Sequence, residues 1–103
     1  MRDKAYRIFN SAEYDEWFAE QTAKSQVQIL GRIANVQNEG HFGDHKSVGG
    51  DVWELRWQNG RRVYYAYLPA MSILLILGGN KNGQEKDIRQ AKKILSKFSF
   101  LER

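Results

Sequence analysis

The chain of 103 residues has no cysteine and a single proline, and its longest unbroken apolar run spans only Ile73 to Leu77. Without cysteine there is no disulfide framework and no thiolate metal site, a usage that fits a reducing cytoplasm. An apolar run that short falls far below the ~20 residues needed to span a bilayer. The stretch from Met1 to Phe9 has no apolar core, so no secretory signal is expected. The reading is therefore of a soluble, cytoplasmic protein with no membrane partner. The only histidines, His41 and His45, match no standard zinc spacing, so no metal and no cofactor are expected. Repeats, low-complexity tracts and internal linkers are also absent, and a chain this short makes one domain over residues 1–103.

What the chain does have is basic charge. Lysine and arginine number 16 against 12 acidic residues, giving a net charge of +4 and a pI near 9.5. Such an excess on a small domain points to an anionic partner, nucleic acid first among them, although many small soluble proteins are mildly basic.

The segment from Val52 to Tyr67 alternates on both sides of an Asn59-Gly60 turn. Side chains along a strand point to opposite faces in turn, and Asn-Gly is a strong hairpin signal. Trp53, Leu55, Trp57, Val63, Tyr65 and Tyr67 then face a core. Glu54, Arg56, Arg62 and Tyr64 share the other face, which is expected to stay partly open. Around this hairpin the pattern predicts a first strand over Lys4–Phe9 and a helix over about Ser11–Gln21, opened by an Asn10/Glu13 capping box. A second helix is expected over about Ala23–Gln37, with Val27, Leu30, Ile33, Ala34 and Val36 as its stripe. Asn38–Asp51, with four of the nine glycines, is expected to be a loop. Strands over Val52–Gln58, Arg61–Leu68 and Ser72–Leu77 follow, with Pro69 in the second turn. A last helix over about Gln84–Phe98 uses Ile88, Ala91, Leu95 and Phe98 as its apolar face. The order β-α-α-β-β-β-α describes a small α+β domain, its three consecutive strands forming a meander and its early helices covering one sheet face.

These segments carry a family resemblance: the helix with Trp17 and Phe18, Gly43 to Arg56, Gly60 to Tyr67, and Leu75 to Ala91 with Lys81, Gln84, Asp87 and Ile88 at fixed spacing. The chain resembles the RelE/ParE toxin superfamily, nearest its HigB-like phage-type addiction module killer branch, over nearly its whole length. The resemblance implies a RelE-like fold, an mRNA endonuclease (interferase) acting on translating ribosomes, and a cognate helix-turn-helix antitoxin. Two other functions share the same likeness: a ParE-like inhibitor of DNA gyrase without nuclease activity, and a non-catalytic RNA-binding domain.

Metal-independent RNA cleavage needs a base for the 2′-hydroxyl, cations for the phosphoryl oxygens and an acid for the departing 5′-oxygen. Arg62 matches the superfamily arginine after the hairpin turn and is the expected phosphate clamp, since its planar fork fits phosphate oxygens. Because its face is expected to lie outside the core, Arg62→Ala should abolish toxicity without harming the fold. Glu54 is the candidate base, or else one half of a cross-strand ion pair. Arg56 holds RNA backbone or orients Glu54, or else is a surface arginine. The resemblance places a basic residue at Lys81, a fourth candidate in the chemistry. Lys46, Tyr64 and Gln84 are candidate RNA contacts, Tyr64 by stacking a base and Gln84 by direct contact or as a helix cap. Asp87 suits the helix dipole. A histidine has a pKa suited to acid–base work, but the resemblance requires none at His41 or His45. Lys92, Lys93 and Lys97 form a basic face that either solubilises the last helix or contacts ribosomal RNA.

Overall fold

The computed structural model describes residues 5–101. Lys4, part of the expected first strand, lies outside them. The elements are β1 (Arg7–Asn10), α1 (Ala12–Ala19), α2 (Ala23–Glu39), β2 (His45–Gly49), β3 (Val52–Arg56), β4 (Arg61–Leu68), β5 (Ser72–Asn80), a single 3-10 turn (Lys81–Gly83) and α3 (Gln84–Leu101). The five strands form one sheet in the order β1-β5-β4-β3-β2. β1 runs parallel to β5, and every other pair is antiparallel.

Local chemistry sets the boundaries. Ser11, one residue after the expected cap, opens α1: its Oγ accepts from the Tyr14 backbone N–H at 2.9 Å and donates to the Ile76 carbonyl at 2.5 Å. Asn10 instead donates to Asp15 at 3.1 Å. Thr22 caps α2 through the Ser25 N–H, and Gly40 closes that helix at φ +69°, a conformation that suits glycine. The segment expected to be a loop contains β2, which pairs with β3 across a shift between Ser47 and Gly49. Its short span and its glycines hide the alternation, so pairing rather than propensity makes it a strand.

The larger correction concerns the layers. α1 and α2 cover one face, burying Tyr14, Ile29, Ile33 and Val36 with Leu55, Val63, Tyr65, Ile73 and Leu75. The opposite face is not open. α3 covers it, burying Ala91, Ile94 and Leu95 against Val52, Tyr64, Ala66, Leu74 and Ile76. A sheet with helices on both faces needs apolar residues at both parities, and the run Ile73–Leu77 supplies them. α2 lies on the sheet through Ile29, Ile33 and Val36, which leaves Val27 and Leu30 of the expected stripe exposed at 70% and 55%. Trp53 and Trp57 pack at the margin of the first core and Tyr67 is exposed. No helix among the described residues is long and apolar enough to cross a membrane.

Candidate active site

β3 and β4 pair so that Glu54 stands opposite Tyr64, and Arg56 opposite Arg62. On the other side of β3, Lys46 of β2 stands opposite Glu54. On the other side of β4, Gly79 of β5 stands opposite Arg62. Opposed residues project from the same face, so the sheet gathers Lys46, Glu54, Arg62 and Tyr64 beneath the start of α3.

Glu54 has no exposed surface there. Gln84, the first residue of α3, donates from Nε2 to Glu54 Oε2 at 2.7 Å. Arg62 Nε lies 3.9 Å from Glu54 Oε1, an ion pair too long for a hydrogen bond. The fork of Arg62 is turned back, with Nη1 donating to the carbonyls of Trp57 at 3.2 Å and Arg61 at 3.0 Å. Glu54 Oε1, Arg62 Nε and the Tyr64 hydroxyl are all buried without hydrogen-bond partners. Each such group costs about 1–3 kcal/mol. Three in one place cost stability, a pattern common at functional sites. Burial first, then the negative charges of Glu54 and Asp87 and the closeness of the phenol to the Glu54 carboxylate, a contact looser than a full hydrogen bond, push Tyr64 well above its ordinary value, with Arg62 opposing.

Asp87, named in the resemblance and otherwise read as a complement to the helix dipole, is a further member. It lies in the first turn of α3, with its carboxylate against the backbone of β5: a Cβ on Gly79 would lie 2.1 Å from Asp87 Oδ2. Lys81 sits at the near rim. Its backbone N–H donates to the Gly60 carbonyl at 2.8 Å, and its side-chain stem crosses the glycine of the hairpin turn, whose φ is +97°. Its remaining length is exposed, as is Lys46.

Arg56 does not join the cluster. Its Nε faces Asp44 Oδ2 at 3.3 Å, and its carbonyl accepts from Arg32 Nη1. It lines a separate cleft of about 620 Å³ with Gln28, Arg32, Asp44, Trp57 and Asn59. Arg32 and Arg61 approach the Trp57 ring at 4.5 and 5.4 Å, a clamp with no signal in the sequence, since it joins α2 to the distant β3–β4 hairpin. His45 lies on the α1/α2 side of the sheet, away from Glu54. Its Nδ1 is 2.7 Å from the Tyr65 hydroxyl, and its ring stacks on Phe42 and Trp53. His41 is exposed in the loop after α2.

A five-stranded sheet with this helix arrangement is the fold of RelE-like toxins. The free-state structure of a doubly substituted mutant of the Escherichia coli toxin RelE superposes with a TM-score of 0.68 at 13% identity, over 85% of this chain and 94% of that one. A chain of the intact E. coli RelBE toxin–antitoxin complex gives a TM-score of 0.63 at 15% identity, over 74% of this chain and 96% of that one. Within that fold the sequence itself is decisive. Residues 16–98 match the family "Phage derived protein Gp49-like (DUF891)", and the chain belongs to it. An uncharacterized protein of Haemophilus influenzae (strain ATCC 51907 / DSM 11121 / KW20 / Rd) is 36% identical over 84% of this chain and 89% of its own length.

Proposed function

We propose that this protein is the toxin of a toxin–antitoxin pair and an mRNA endonuclease that cleaves at the ribosome without a metal. The observation that carries the reading is the buried Glu54–Arg62 ion pair, which at 3.9 Å is too long for a hydrogen bond and leaves Glu54 Oε1 and Arg62 Nε without one. A purely structural ion pair is expected to be fully satisfied, because each orphaned group weakens the fold.

The site as it stands is closed, and the open hollow expected over Glu54 is filled. Part of its cover at the carboxylate is the Gln84 side-chain amide. Gln84 Nε2 donates to Glu54 Oε2 where a ribose 2′-hydroxyl would have to donate. Swinging Gln84 aside and admitting the hydroxyl exchanges one hydrogen bond for another. Glu54 then takes the 2′-hydroxyl proton as the oxygen attacks phosphorus. Arg62 releases the Trp57 and Arg61 carbonyls and turns its fork to the phosphoryl oxygens. The Lys81 ammonium reaches the same phosphate from the rim, while Lys46 and the α3 lysines meet RNA backbone. Under this reading Gln84 covers the base and is not a substrate contact, and Arg56 serves its own cleft. The partner is an antitoxin, for which the RelBE complex is the structural precedent; a helix-turn-helix antitoxin follows from the branch resemblance.

A second reading, inhibition of DNA gyrase without nuclease activity, is favoured by the complete burial of Glu54. Expression in a bacterial host with RNA 5′-end mapping and plasmid topology separates the two. Growth arrest with new 5′ ends inside translated messages supports the nuclease. Arrest with intact messages and altered supercoiling overturns it in favour of the second reading, and unimpaired growth removes both.

A further inference from the structure

Cleavage of an RNA linkage leaves one role unfilled by the groups above, that of the acid that protonates the 5′-oxygen. We infer that Asp87 is this general acid, an assignment that rests on the nuclease reading and extends it.

Three observations carry it. The first is room made for the carboxyl. Gly79, directly opposite Arg62 in the sheet, has space for no side chain, because Asp87 Oδ2 occupies the place its Cβ would take. On the other side Gly83 lies close as well, with 3.3 Å between its would-be Cβ and the same oxygen. Two glycines thus admit one carboxyl next to the clamp arginine. The second is freedom. Asp87 is half-buried, and its carboxyl takes no hydrogen bond among the described residues. A residue serving only the helix dipole has no need of such a niche, and Glu85, exposed in the same first turn, already fills that role. The third is convergence. Asp87 lies over Gly79, which stands opposite Arg62, and two residues along β4 Tyr64 stands opposite Glu54, so both carboxyl groups lie over neighbouring positions of one sheet face.

The charges around Asp87 are Lys86 on its own helix and, across Tyr64 and Gly79, Glu54 and Arg62 on the sheet. Burial raises the carboxyl above its ordinary value, with Lys86 opposing, which favours the protonated form an acid must start from. In the reaction the 2′-oxygen–phosphorus bond forms as Glu54 takes the hydroxyl proton. The phosphorus–5′-oxygen bond breaks as Asp87 gives up its own proton. The products are a 2′,3′-cyclic phosphate and a 5′-hydroxyl, with Glu54 protonated and Asp87 ionised until solvent resets both.

The test uses ribosome-bound messages cut by the intact protein, one with the ordinary linkage at the mapped cleavage position and one with sulfur replacing the 5′-bridging oxygen. A sulfur leaving group departs without a proton. Asp87→Asn should slow the oxygen linkage by roughly 10²–10⁴-fold and leave the sulfur linkage near the wild-type rate. Ribosome binding and circular dichroism of the variant confirm that it is folded. Equal slowing on both linkages, or no slowing on either, overturns the role of Asp87 while the wild-type rate upholds the nuclease. A wild-type protein that cuts neither message removes the nuclease reading and this assignment with it.

Discussion

Gln84 Nε2 meets Glu54 Oε2 at 2.7 Å, and this one bond ties the first residue of the last helix to the middle of the sheet. The same contact closes the site, so its removal separates stability from activity. A hydrogen bond to a charged group contributes about 1.5–3 kcal/mol. Gln84→Ala should destabilise the fold by an amount in that range, read from denaturant titration, and leave message cleavage as fast as in the wild type or faster. Cleavage slowed as strongly as by Glu54→Ala would make Gln84 a substrate contact and discard its role as a cover.

Arg62 is the nearest cation to a carboxylate with no exposed surface. Arg62→Ala leaves that charge uncompensated and should cost about 3–5 kcal/mol, so the expectation that this change spares the fold does not hold. Arg62→Lys keeps the charge and loses the fork. It should retain a cooperative denaturant transition and lose growth arrest. A folded Arg62→Lys protein of full toxicity would remove the phosphate clamp from this position.

Three glycines give a graded stability series. Gly31 lies inside α2 with nothing within 4 Å of its would-be Cβ, so Gly31→Ala should stabilise by about 0.5–1 kcal/mol. The Cβ of Gly78→Ala would lie 2.1 Å from the Trp17 indole, on the α1 side of the sheet, and overpacking of this kind costs about 1–3 kcal/mol. Gly79→Ala meets the Asp87 carboxylate instead and should depress cleavage more than it depresses stability. Urea titrations of the three variants beside cleavage rates check the order.

Three buried phenols set the alkaline limit. Burial raises Tyr14, Tyr64 and Tyr65 above the ordinary value of 10.0, aided by nearby Asp15 at Tyr14, by Glu54 and Asp87 at Tyr64, and by Tyr67 at Tyr65. Above about pH 10 the unfolded chain loses phenolic protons that the native state keeps, so stability falls as pH rises. This contribution is complete below about pH 10 and is lost as pH climbs toward the raised values. Absorbance near 295 nm should show the three phenols ionising only together with unfolding. Ionisation of all five tyrosines in a single early step, with the fold intact, would contradict this.

Much of the fold was legible because the hairpin alternates cleanly. β3, β4 and β5 have the expected pairing, β1 joins at the β5 side, and α3 uses the expected apolar face extended by Ile94. What alternation cannot tell is which of two faces is solvated when a helix far along the chain returns to cover one. Glu54 and Tyr64 alternate with Leu55 and Tyr65 in either case, and only the docking of α3 turns an open face into a buried one. Arg56 shares the parity of Glu54 yet faces Asp44, because the end of a strand lets a long side chain reach sideways. Asp87 stood in the segment that carries the resemblance, but its niche was not legible: the carboxyl fills the place a side chain on Gly79 would take, and no sequence pattern records that.

β1 completes the sheet by lying parallel to β5, from Arg7 beside Ser72 to Asn10 beside Leu75. The first strand to leave the ribosome therefore waits, unpaired, for nearly the last one, a closure that is slow because it joins distant parts of the chain. Glu54, Arg62, Gly79 and Asp87 arrive late in that same sequence. No partly synthesised fragment brings these four residues together, so the cluster exists only once β5 and α3 have joined the sheet.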